Sequence, residues 1–151
     1  MEKLIEKLIE KNITVAAAES CTGGLLSSAF VDIPGSSAVL LEGVVTYSNE
    51  AKVRLGVDKE TLILHGAVSE EVALLMAKAV KKRAGATIGL STTGIAGPGG
   101  GSDEKPVGLV YTAIAGDNFE KVYKLNLSGS RTQVRCATVK FVTDKIKELY
   151  F

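Results

Sequence analysis

Ser20 closes a short apolar run, Ile13 to Ala18, and opens the segment Ser20-Cys21-Thr22-Gly23-Gly24, after which Leu25 to Val31 resumes a helical pattern. Strand, glycine turn and helix in that order point backbone N–H groups at an anion. A hydroxyl placed there either attacks an electrophile while the turn's amides hold the oxyanion, or caps the helix, a task Thr22 performs equally well. Both readings stand on spacing alone. A serine nucleophile needs a base. His65 is the only imidazole, and its setting, Leu64-His65-Gly66, reads as a surface turn with no identifiable acidic partner. Lysine is the alternative, because burial favours the neutral amine. Lys52 follows Tyr47 by five residues on a strand-to-helix passage, a spacing that by itself describes a solvated helix lysine.

A second candidate loop, Gly94 to Gly101, holds five glycines in eight positions directly after an apparent strand. Such density permits close backbone approach to a ligand, although a flexible connection has the same composition. The loop matches neither the dinucleotide fingerprint nor the phosphate-loop lysine pattern, so neither cofactor is read here. Arg131 and Arg135, four apart at the start of a helix, share a face and suit either a phosphate or solvent.

The elements that must carry these residues are legible as patterns. Leu4, Ile5, Leu8 and Ile9 recur at helical spacing. Gly43 to Tyr47 reads as a second strand, followed by a short helix through Lys52 that Ser48 or Asn49 caps and Gly56 closes. Ser69-Glu70-Glu71 opens a longer helix with Val72, Leu75, Met76 and Val80 inward, ended by Gly85. Ile88 to Thr92 is a third strand. Val107–Ala115 and Phe119–Leu127 alternate around Gly116-Asp117-Asn118 as a hairpin. A last helix from about Arg131 places Val134, Ala137, Phe141 and Ile146 on one face. Pro34-Gly35-Ser36-Ser37 is a loop. The order predicts one α/β domain over 1–151, a mixed sheet covered by helices.

Composition narrows the function. The 151 residues are 46% hydrophobic, with no Trp, four Phe and four Tyr, as befits one enclosed core. Eighteen basic against seventeen acidic residues leave a formal charge of +1, which argues against a nucleic-acid partner. The basic run Lys78 to Arg83 ends a helix and reads as solvated charge. One histidine and two distant cysteines, Cys21 and Cys136, make an ordinary metal site improbable. No apolar run reaches membrane-spanning length, and no secretory signal is read at the start, so reduced thiols and a cytoplasmic location are expected. Cys21 reads as a small packing residue.

Four stretches together resemble the C-terminal domain of the CinA family, also called the PncC-type nicotinamide mononucleotide deamidases. They are Ala18-Glu19-Ser20-Cys21-Thr22-Gly23-Gly24, Val45 to Lys52, Gly66-Ala67-Val68-Ser69-Glu70, and Gly94-Ile95-Ala96-Gly97-Pro98 with Gly100-Gly101 and Glu104 to Gly108. They occur in family order across essentially the whole chain. The resemblance implies a three-layer α/β/α domain with a mixed, mainly parallel sheet that includes an antiparallel hairpin. It implies hydrolysis of the carboxamide of nicotinamide mononucleotide to the acid plus ammonia, without metal or cofactor. Ser20 becomes the nucleophile, Lys52 its base and Tyr47 an assistant. Thr22, Gly23, Gly24, Thr93, Gly94, Gly97, Gly100, Arg131 and Arg135 become substrate-binding candidates, the last two with the glycine loop for the ribose-phosphate. The implied partner is that small nucleotide, with no nucleic acid or membrane, in a homo-oligomer of two or more copies.

A catalytically silent nucleotide-binding or interaction module that keeps the pocket is the rival reading. Many members resemble Gly-Asp-Arg where this chain has Gly129-Ser130-Arg131. Full-length CinA proteins also carry an N-terminal domain resembling molybdopterin-binding proteins; it lies outside the resemblance, and its activities are not carried over.

Overall fold

Leu4, Ile5 and Leu8 fall on one side of a 3.6-residue spiral, and helix α1 (Glu2–Glu10) buries all three while its charges face water. Ile9, at the border of that stripe, is partly exposed. The computed structural model describes residues 1–151. After α1 come β1 (Val15–Glu19), α2 (Leu25–Val31), a 3-10 turn over Ser36–Ala38, β2 (Leu40–Val45), α3 (Asn49–Leu55), α4 (Lys59–His65) and α5 (Glu70–Ala84). They are followed by β3 (Ile88–Gly94), β4 (Leu109–Ala115), β5 (Glu120–Asn126) and α6 (Arg131–Tyr150).

The strands form one sheet in the order β2-β1-β3-β4-β5. β1 pairs in parallel with β2 and β3, and the β3–β4 and β4–β5 pairings are antiparallel, so β4 alone runs against the other four. β1 is buried along its whole length because it has a strand on each side and helices on each face. Its alternating side chains divide the core. Val15 and Ala17 pack with Leu4, Leu8, Leu26, Phe30, Val142 and Ile146 from α1, α2 and α6. Ala16 and Ala18 pack on the opposite face with Leu62, Val72, Met76 and Val80 from α4 and α5. The three-layer α/β/α expectation with its hairpin is met.

Three local expectations are corrected. The second strand is Leu40–Val45 and stops short of Tyr47, since pairing with β1 ends at Glu19↔Val45. Gly43 is mid-strand because a Cβ there would collide with the side chain of Ser27, which crosses from α2. Helix α4 lies where a turn around Leu64-His65 was expected. Asp58 caps it by accepting from Thr61 N (2.8 Å), but Ile63 and Leu64 face solvent and spoil the amphipathic pattern. The buried face of α6 is Val134, Thr138, Val139, Val142, Thr143 and Ile146, with Ala137 and Phe141 on its flank. Thr138 and Thr143 donate to carbonyls of their own helix, which lets them serve in an apolar face. Phe141 instead meets Tyr123 of β5 edge-to-face at 5.3 Å. No helix is long and apolar enough to cross a membrane.

Candidate active site

The period of two along β1 continues through its last residues: Glu19 follows Val15 and Ala17 toward α2, and Ser20 follows Ala16 and Ala18 toward α3. The backbone here is held from both neighbours. Ser20 N donates to Thr92 O (2.9 Å), and Thr46 N donates to Glu19 O (2.8 Å).

Lys52 reaches Ser20 from α3. The Ser48 hydroxyl caps that helix by accepting from Ala51 N (3.0 Å), which sets Lys52 in the first full turn. Its side chain is 1% exposed, and Nζ donates to Thr46 O (2.6 Å) and to Ser20 Oγ (3.0 Å). No carboxylate forms an ion pair with it. Burial therefore lowers its pKa below the ordinary lysine value. The solvated-lysine alternative is excluded by this burial. A neutral amine keeps the same geometry: an N–H donates to Thr46 O, and the lone pair faces the Ser20 hydroxyl.

Tyr47 is 63% exposed at the mouth of the site. Its hydroxyl accepts from Arg131 Nη2 (3.0 Å), and Arg131 Nη1 donates to Gly97 O (2.8 Å), which links α6, the glycine loop and the segment after β2. Ser20, Lys52 and Tyr47 line one cavity of about 280 Å³, and Thr93, Gly94, Gly97, Gly100 and Arg131 border it too. The amides of Gly97, Gly99 and Gly100 donate to no protein acceptor and so remain free for a ligand. Gly97, at φ +81°, also passes so close to Val107 that a Cβ would strike its side chain. A wider cleft of about 620 Å³ beside Met1, Lys7, Ile33 and Lys147 contains no nucleophile–base pair; size does not locate the site.

Four candidates lie outside that cavity. Thr22 turns inward, donating to Glu19 Oε2 (2.6 Å) and meeting Thr92 Oγ1 (2.7 Å). Gly23 N closes back on Ser20 O (3.1 Å), and Gly24 N donates to Glu19 Oε2 (3.0 Å). Arg135 donates through Nε to Cys21 O (3.2 Å) and through Nη2 to Thr22 O (2.7 Å). The two arginines thus divide their work: Arg131 faces the cavity, and Arg135 ties down the turn behind it. Thr93 lines the cavity while its hydroxyl donates to Ala67 O (2.7 Å).

Sequence reasoning overlooked Glu19. The start of α2 was expected to face an external anion, but this fully buried carboxylate already occupies it. It accepts from Leu26 N (2.9 Å), Ser27 N (2.7 Å) and Ser27 Oγ (2.7 Å) besides Thr22 and Gly24. The available signal was a charged residue ending an otherwise apolar strand. Of the turn's amides, those of Cys21 and Thr22 alone lack an oxygen acceptor.

The other candidates fall away on position. Burial pushes the Cys21 thiol up to about 11, which keeps it protonated and a poor nucleophile. Both cysteines are free. His65 ends α4 with Nδ1 3.3 Å from Glu71 Oε1, and it does not line the cavity. Ser130 caps α6 in a reciprocal pair with Gln133, the service an aspartate gives at a helix start.

An α/β sheet with a serine just past the C-terminal end of β1, and beside it a buried lysine from α3, defines the class. The chain belongs to the CinA C-terminal domain family, whose model matches residues 1–150. It is 58% identical over 141 residues to a Clostridium acetobutylicum relative assigned to the competence-damage inducible proteins, covering 93% of this chain and 34% of the relative. It thus spans about a third of the length of the curated relatives it matches. Among solved structures it resembles the competence/damage inducible protein CihA from Agrobacterium tumefaciens, at 44% identity and TM-score 0.92, covering 98% of this chain and 94% of that one. A CinA superfamily protein from Klebsiella pneumoniae matches at 34% identity and TM-score 0.94, covering 97% and 92%.

Proposed function

We propose that this domain is a metal-independent amidohydrolase that converts nicotinamide mononucleotide to the acid and ammonia through a Ser20 nucleophile and a Lys52 base. The observation that carries the reading is the 3.0 Å approach of Lys52 Nζ to Ser20 Oγ, with both residues buried at the base of the cavity. Neutral Lys52 takes the Ser20 proton as Oγ attacks the carboxamide carbon, and the amide of Cys21, which lines the cavity and has no oxygen acceptor, receives the oxyanion. Collapse of the tetrahedral adduct breaks the C–N bond, and Lys52 returns its proton to the departing ammonia. Water, activated by the same amine, then releases the acid from Ser20. The free amides of the glycine loop and the Arg131 guanidinium offer an anion the donors that a phosphate requires.

The test is ammonia release from nicotinamide mononucleotide by wild type, Ser20→Ala and Cys21→Ala, with chelator throughout. Turnover lost in Ser20→Ala and retained in Cys21→Ala is expected. A wild type that binds the nucleotide without turnover is instead a silent binding module.

A further inference from the structure

Glu19 is the molecule's only buried carboxylate, and the proposed reaction makes no use of it. Its two oxygens accept five hydrogen bonds, all from the turn after Ser20 or the first turn of α2. Thr22 has one hydroxyl proton and gives it to Glu19, so Thr92 must donate in the Thr92–Thr22 contact. The donor chain therefore runs from Thr92 through Thr22 to Glu19. A carboxylate this desolvated, with no cation beside it, is stable only while its donors stay in place. Shifting the turn breaks several charge-assisted bonds together.

We infer that Glu19 is a positioning residue for Ser20: a built-in anion that engages the donors at the start of α2, locks the turn that carries the nucleophile, and leaves the Cys21 and Thr22 amides without an oxygen acceptor. The inference rests on Ser20 being the nucleophile, but not on which amide is the substrate.

Reaction with a fluorophosphonate probe tests it independently of the substrate. Ser20 Oγ bonds to phosphorus, the P–F bond breaks, fluoride leaves, and the Oγ proton passes to Lys52. Glu19→Gln keeps the volume but puts an NH2 against N–H donors. In a variant that is folded by circular dichroism and melting, Ser20 labelling slows roughly 10- to 100-fold, the range for a slightly misplaced reacting group. Hydrolysis loses kcat with KM nearly unchanged, and the ascending limb of its pH profile, set by Lys52, stays put. Labelling of folded Glu19→Gln at the wild-type rate overturns the inference. Should that variant not fold, Ser27→Ala, which removes one of the five donors, takes its place: slower labelling supports the inference, and an unchanged rate overturns it. A wild type that labels at Ser20 yet spares nicotinamide mononucleotide sinks the substrate reading alone, and the labelling comparison still decides Glu19. A wild type that fails to label at Ser20 ends the inference with the nucleophile.

Discussion

Lys52 is the residue whose protonation governs the proposed chemistry, and its environment gives the direction. Burial lowers its pKa, so the neutral fraction grows, and kcat/KM rises with pH through a limb lying below the ordinary value of 10.5. A limb at or above that value, read from a pH–rate profile, removes Lys52 as the base. The same shift links to stability. A lysine with a depressed native pKa destabilises the fold below that pKa and ceases to do so as pH rises to the unfolded value, about 10.4. The melting-temperature difference between wild type and Lys52→Met therefore moves in favour of wild type between pH 7 and 10. Tyr47 separates two roles by kinetics. Tyr47→Phe removes the acceptor of Arg131 Nη2; holding the arginine predicts a raised KM with kcat largely kept. A kcat loss beyond about 100-fold places the hydroxyl in proton transfer instead.

At the scale of elements, Arg135 joins α6 to the turn through the Cys21 and Thr22 carbonyls. Arg135→Gln is expected to lower kcat by about 10-fold through a looser nucleophile, with KM little changed. A contact with substrate phosphate predicts the reverse, a KM effect measured by steady-state kinetics. The elements themselves were legible where local signals agree: α1 by periodicity, α5 by its Ser69 cap and Gly85 stop, the hairpin by its glycine turn. Helix α4 was hidden because Ile63 and Leu64 face solvent, and the inner face of α6 because two of its members are threonines. Ser20 and the glycine loop were legible from type and spacing. Lys52 was not, since its burial depends on chain brought in from β1 and β2, and only the family resemblance singled it out. Glu19 escaped notice because its five donors are assembled by a turn whose geometry exists only after folding.

For the whole molecule, β1 is the axis on which both helical layers pack, and Phe30 of α2 is the largest fully buried side chain. Phe30→Ala is expected to cost about 3–5 kcal/mol of unfolding free energy in denaturant titration. The site inherits its rigidity from this axis, since Ser20 hangs from β1 and is braced from β2 and β3. The division of the arginines adds a consequence. The atoms that would break the bond are anchored to the sheet and to α3, while those that would choose the molecule sit on the 94–101 loop and at Arg131. The two sets are built from separate pieces of chain. Under the proposed function, grafting another loop between Thr93 and Val107 is expected to change which molecule the cavity takes and to leave the Ser20–Lys52 pair in place, so the scaffold is suited to diversification by loop exchange.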